Sequence, residues 1–125
     1  VRRGVTLAVD YAHERAARPA AGSLTAYRNG RQVPPVPDGT RDLTAHVALD
    51  ACAGAGEAAG ATATVLTAQG EALRGLGVGG ARPGRTEAER DPAGYLAALA
   101  RAGEAAELTD PGGLGGFGWL QQAIA

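Results

Sequence analysis

Apolar positions along the chain fall into three patterns. Val5 to Tyr11, VTLAVDY, sets apolar residues at consecutive positions, which predicts a strand covered on both faces. Ala61 to Ala68, ATATVLTA, is rich in Thr and Val and predicts a second strand. A terminal strand is expected from about Phe117 to Ile124, with Phe117 and Trp119 packing as core or edge cover. Helical spacing recurs in three places. Ala48 to Gly60, ALDACAGAGEAAG, reads as an Ala-rich helix with Gly60 as its C-cap, although each internal glycine costs it about 1 kcal/mol. GEALRGLG puts Ala72, Leu73 and Leu76 on one face of a short helix. Asp91-Pro92 supplies an N-cap and a first-turn proline, and Leu96, Leu99 and Ala106 stripe the helix that runs on to about Leu108, where Thr109-Asp110-Pro111-Gly112 stops it. The third pattern is the absence of periodicity, which predicts loops over Arg15–Ala21 and Val78–Arg90 and a flexible loop in the glycine-rich tail before Phe117.

Gly22 to Asp50 fits none of these patterns and is too long to be an idle connection. LTAYRNGRQV reads as a two-residue hairpin, because Asn29-Gly30 accepts the positive φ angles of a type I′ turn. The prolines of VPPVPDG cannot donate to a ladder, so that segment is expected to be extended and irregular. A turn at Asp38-Gly39 leads into Asp42–Val47, which is either a short strand or an ordered loop.

With 125 residues the chain is one small domain or part of a larger one; the lack of any Met and the opening on Val1 favour a part from which upstream sequence has been cut. Every basic residue is Arg, which alongside the heavy Ala and Gly usage reads as codon bias of a GC-rich genome. A net charge of -1 gives no general attraction to nucleic acid or to an anionic membrane. The lone Cys52 excludes an intrachain disulfide and a cysteine-built zinc site, and no metal is expected. No apolar run is long enough to span a bilayer, so a cytoplasmic location is the default expectation.

Candidate chemistry gathers at predicted strand ends. Asp10, Tyr11 and His13 follow the first strand, where open parallel sheets place their ligand crevices. The competing reading has Asp10 capping the next turn, with His13 and Glu14 solvated. Asp42, Thr44 and His46 either face a ligand or satisfy backbone groups, and Gln69 stands at the end of the second strand. The run VALDACAGAG imitates a nucleotide-cradling glycine loop, but Gly54-x-Gly56-x-x-x-Gly60 misses the dinucleotide fingerprint.

The segments VDYAHE, GSLTAYRNGRQV, PDGTRDLTAHV, LTAQGEALRGLG and AAELTDPGGLGGF, in that order, resemble the C-terminal region of the MidA-type S-adenosylmethionine-dependent methyltransferases. The resemblance covers nearly the whole chain and is strongest from Gly22 to Val47. It implies an α/β fold: the C-terminal part of a class I, Rossmann-like methyltransferase sheet, with an inserted hairpin and loop over residues 22–47 and an antiparallel terminal strand between its two neighbours. On this reading residues 1–125 are the C-terminal portion of a single methyltransferase domain. The glycine loop that holds S-adenosylmethionine belongs upstream, and no match for it exists here. Ala12 replaces a glycine usual in the family. Mitochondrial members methylate an arginine in a subunit of respiratory complex I, so a protein acceptor is implied. Asp10, Tyr11 and His13 are then candidate catalytic residues, and Asp42, Thr44, His46 and Gln69 candidate substrate-binding ones. Either histidine is chemically able to take a proton near neutral pH. By itself such a piece is expected neither to bind the cofactor tightly nor to turn over. The oligomeric state stays open, a homodimer being one option. Two other readings compete: a non-catalytic protein-interaction module, and a small complete nucleotide-binding domain built on Gly54–Gly60.

Overall fold

The computed structural model describes residues 3–125 and divides into two compact units. One holds the chain up to Leu66 together with Leu120–Ala125; the other is Thr67–Trp119.

The first unit contains β1 (Gly4–Asp10), β2 (Ala12–His13), β3 (Thr25–Arg28), β4 (Arg31–Val33), β5 (Asp42–Thr44), β6 (Val47–Ala48), α1 (Leu49–Ala58), and most of β7 (Ala63–Ala68) and β8 (Gly118–Ile124). The sheet order is β1-β8-β7, so the terminal strand lies between the other two, as expected from the sequence. Backbone bonds from Thr62 N to Ala123 O (2.8 Å) and from Gln69 N to Phe117 O (2.8 Å) bracket the β7–β8 pair and run it antiparallel. A small apolar core forms under α1. Leu49 and Ala53, one turn apart on the helix, meet Leu120, with Ala12, Val47 and Leu66 packed around them. Leu49 is the largest fully buried side chain, contributing about 2–3 kcal/mol. Buried Gln122 ties helix to sheet: its amide donates to Ala53 O at 2.9 Å and to Thr64 Oγ1 at 3.1 Å.

The helix over Leu49–Ala58, followed by Gly60 at φ 103°, matches the Ala-rich helix of the sequence reading. It overturns the alternative of a nucleotide cradle at Gly54–Gly60. Gly54 and Gly56 lie within helical turns, their N–H groups directed along the helix axis, and Gly56 is pressed against the Gln122 side chain.

β1 departs from its expected double cover. Val5, Leu7 and Val9 are 65%, 52% and 37% exposed. Alternate residues of a strand share a face, and β1 is an edge strand on whose face no described element packs these three side chains away.

The second unit consists of α2 (Gln69–Gly75), α3 (Arg85–Arg90), α4 (Pro92–Thr109) and a 3-10 turn at Leu114–Gly116. As predicted, α4 starts at Asp91, whose Oδ1 accepts from Gly94 N at 3.0 Å, with Pro92 in the first turn. Its buried face is Ala102, Ala105 and Thr109, which corrects the Leu96, Leu99 and Ala106 stripe; Leu96 is 64% exposed. Small residues face inward because backbone comes close: a Cβ on Gly80 would lie 3.2 Å from Ala102 O. Leu76 of the predicted α2 face is also exposed, while Ala72 and Leu73 are half-buried.

Two loop expectations are corrected. Within Val78–Arg90, residues Arg85–Arg90 form a helix with no buried residue; RTEAER is polar apart from Ala88, so it has favourable propensity and no periodic signal. The glycine-rich tail is not a flexible loop but a tight turn. A Cβ on Gly115 would sit 2.3 Å from the Thr109 carbonyl carbon, an approach only glycine permits.

Candidate functional site

The hairpin fixes the site's first wall. Asn29 (φ 52°) and Gly30 (φ 71°) are both left-handed, as a type I′ turn demands, and they set the register of β3 with β4. On the other side of β3, Thr25 pairs with Thr44 and Tyr27 with Asp42 of β5. Directly opposed residues in an antiparallel pair share a face, so Thr25, Tyr27, Asp42 and Thr44 project to one side, joined by Gln32 from β4. Gln32 Nε2 donates to Thr25 Oγ1 at 2.9 Å.

The second wall comes from the end of β1. β2 and β6 pair in parallel, Ala12 with Val47 and His13 with Ala48, and Val47 N donates to Tyr11 O at 2.9 Å. This clamp lays Tyr11 beside His46, ring centroids 5.9 Å apart and planes inclined at 39°. Ser23 Oγ accepts from His46 N at 2.9 Å and holds the histidine's backbone from the hairpin side. Tyr11, Thr25, Tyr27, Thr44 and His46 together line a cavity of about 260 Å³.

Of the residues expected from sequence, Tyr11, Thr44 and His46 meet in this cavity. Asp10 turns to the backbone, its Oδ1 accepting from Tyr11 N at 2.8 Å. Asp42 is exposed, directly across from Tyr27. His13 is paired at the β2–β6 bridge beside α1, its Nδ1 buried with no hydrogen-bond partner. Gln69 belongs to the second unit, where its amide donates to Leu108 O at 3.1 Å while Arg74 Nη2 donates to Thr109 O at 2.6 Å. Both supply donors to last-turn carbonyls of α4 that have no intrahelical partner.

Thr25, Tyr27 and Ser23 are absent from the sequence reading. The signal for Tyr27 was present: once Asn29-Gly30 fixes a two-residue turn, alternation along β3 puts Thr25 and Tyr27 on one face.

Two carboxylates hold the segments around the cavity. Desolvation pushes the Asp50 carboxyl up, but hydrogen bonds from Arg15 N and Ala51 N, with the charges of Arg18 and His13, outweigh it and keep the group below its ordinary 3.8. Arg15 N lies 2.8 Å from Oδ2 and Arg18 Nη2 3.1 Å from Oδ1, so Asp50 fastens the turn after His13 to the start of α1. Asp38 is likewise held below 3.8, chiefly by Thr40 N and Oγ1 and then by Arg41. Arg41 closes the Pro-rich loop, with Nη1 on Pro34 O and Nη2 on Asp38 Oδ2, both at 2.9 Å.

Among the described residues no group of His, Cys, Asp and Glu is placed to hold a metal ion, and no helix is long and apolar enough to cross a membrane. Neither glycine-rich run forms a cradle for an adenosyl cofactor. The glycines at 54 and 56 are helical, and those at 115 and 116 are packed against the backbone of Thr109 and Pro111.

Over residues 1–67 the chain matches the model of a family described as "Putative S-adenosyl-L-methionine-dependent methyltransferase". An uncharacterized protein from Burkholderia thailandensis, known as a crystal structure, is 26% identical with a TM-score of 0.72 over 98% of this chain and 34% of its own. A second Burkholderia thailandensis structure, described as a "likely methyl transferase" and bound to S-adenosyl-homocysteine, is 24% identical with a TM-score of 0.64, over 98% of this chain and 33% of its own. The second likeness is one of fold. The chain thus spans about a third of the length of these solved structures. No curated protein matches the sequence.

Proposed function

Because the chain belongs to the S-adenosyl-L-methionine-dependent methyltransferase family whose model it matches over residues 1–67, we propose that it forms the acceptor side of such an enzyme. The observation that carries this reading is the cavity that joins Tyr11 at the end of β1 to Thr44 and His46 of the insertion. Ligand crevices of doubly wound sheets lie beyond strand ends, and the order β1-β8-β7, with the last strand in the middle, supports a Rossmann-like, class I arrangement. At about 260 Å³ the cavity is below the ~300–1,000 Å³ of small-molecule pockets, so it fits an acceptor side chain better than a whole adenosyl cofactor. S-adenosylmethionine, which supplies the methyl group, is held mainly by residues outside these 125. The resemblance to MidA-type enzymes makes a protein arginine the favoured acceptor.

Methyl transfer from a sulfonium is an in-line displacement, so what these residues contribute is position. Tyr11 and His46 set the walls, Thr25 and Thr44 offer hydroxyls to an acceptor N–H, and two nearby carboxylates, Asp42 in register with Tyr27 and Asp10 bonded to Tyr11 N, favour a cationic group. His13 and Gln69 remain candidates whose side chains are not among those lining the cavity.

Calorimetric titration of the chain with S-adenosyl-homocysteine is expected to show no tight binding; tight binding would return the cofactor site to these residues and overturn the reading. In the enzyme completed by its cofactor-binding portion, His46→Ala should lower methyl transfer about 100-fold by loss of positioning, with S-adenosyl-homocysteine affinity unchanged. A parallel loss of cofactor affinity would contradict an acceptor-side role.

A further inference from the structure

The Pro-rich stretch that follows β4 takes no part in the cavity. Pro34, Pro35 and Pro37 each fix their own φ at about −65°, and Val33, Pro34 and Val36, each followed by a proline, are confined to extended ψ. Those two restrictions together produce a polyproline II rod. Its three-residue repeat makes Val33-Pro34 and Val36-Pro37 equivalent apolar pairs about 9 Å apart. The rod is braced from inside. Arg41, its side chain 16% exposed, donates from Nη1 to Pro34 O and from Nη2 to Asp38 Oδ2, both at 2.9 Å, and Asp38 N closes the far end on Val36 O at 2.9 Å. All three prolines and Val36 are exposed. A rigid apolar ridge facing water is already in shape for a partner and loses little entropy on docking.

The charge at its head is unpaired. Across the hairpin turn Arg28 stands directly opposite Arg31, and among the described residues neither takes part in an ion pair. Like charges so placed repel each other, and an acidic surface laid against them relieves that repulsion. Register also fixes the face. Arg28, Arg31 and Val33 alternate with Tyr27 and Gln32, so they lie on the side of the hairpin away from Thr25, Tyr27 and Thr44 of the cavity.

We propose that residues 31–37 are a docking ridge for a protein partner whose groove is lined by aromatic rings and bordered by carboxylates. The rings take the two Val-Pro pairs and the carboxylates take Arg31. With Pro34 O and Val36 O engaged within the chain and no N–H on the prolines, the ridge presents mostly ring and methyl surface, which aromatic faces cover without stranding polar groups. Docking of this kind is independent of methyl transfer.

The probe is a purified SH3 domain with acidic residues bordering its aromatic groove, titrated calorimetrically with the whole 125-residue chain. Saturable one-to-one binding is expected, displaced by a polyproline peptide that fills the same groove and about tenfold weaker when salt is raised from ~0.05 to ~0.5 M. Joint replacement Pro34→Ala and Pro37→Ala loosens the rod and should weaken binding about tenfold. Arg31→Glu should cost about tenfold, and Arg82→Glu in the second unit should cost nothing. Salt and competitor are read on the native chain, so they decide the matter even where a variant folds poorly. Absence of saturable binding overturns the docking ridge, as does binding that resists the polyproline peptide or ignores salt. A loss in Arg31→Glu with the prolines immaterial would mark a bare cationic patch, and an equal loss in Arg82→Glu a general charge effect; either overturns it as well.

Discussion

Gly54 and Gly56 sit two residues apart in one helix and answer to opposite forces. A Cβ at Gly54 meets nothing within 4 Å, so Gly54→Ala should stabilise the fold by roughly 0.5–1 kcal/mol through helix propensity alone. At Gly56 the same methyl would fall 1.9 Å from Gln122 Oε1. Long side chains usually move aside cheaply, but this amide is buried and donates to both Ala53 O and Thr64 Oγ1. Losing two bonds at about 1 kcal/mol each outweighs the helix gain, so Gly56→Ala should destabilise by roughly 1 kcal/mol. Urea melts of the two variants check the opposite signs. Asp38 and Asp50 set the acid behaviour: both are depressed in the folded state, so their stabilisation is complete above 3.8 and is lost as pH falls through the lower folded values. Asp50→Asn should flatten the acid limb of a stability–pH curve and leave the neutral limb parallel to that of the native chain. None of this could be read from composition. The sequence shows a glycine, and only the packed structure shows what stands over it.

Whole elements were legible in proportion to how much apolar surface they bury or how specific their turn chemistry is. Asn29-Gly30 identified the hairpin, Asp91-Pro92 the start of α4, and Thr- and Val-rich composition β7. Of the site, Tyr11, Thr44 and His46 were nameable from the strand end and the insertion, whereas Tyr27 required the register that the turn sets. α3 stayed invisible because a helix with no buried side chain has no stripe to find. The tail misled for the opposite reason: repeated glycine marks close packing as readily as freedom, and Gly115 is there because Thr109 and Asp110 backbone atoms lie within 2.7 Å of its missing Cβ. Gly115→Ala is therefore expected to cost well over 1 kcal/mol, since backbone and not a side chain must yield. In that variant, amide exchange of α4 read by mass spectrometry should show the last turn, which Gln69 and Arg74 hold in the native chain, loosening first.

At the level of the molecule, the first unit rests on a modest core, with Leu49 as the one large fully buried side chain among the described residues, and β1 displays Val5, Leu7 and Val9 to solvent along an edge strand. An exposed apolar edge is a template for pairing with other chains. Sedimentation velocity should find concentration-dependent association of the chain, reduced in Leu7→Lys; a monomer at all concentrations would contradict this. The consecutive-apolar signature of β1 was read from sequence as burial, and it records what the strand is chemically suited to rather than what covers it among these residues.

Gln69 N and Phe117 O stand 2.8 Å apart, so the forty-odd residues between them begin and end at a single hydrogen bond across two neighbouring antiparallel strands. Because both ends meet there, a change in the length of the segment between them leaves the separation of β7 and β8 at that point untouched.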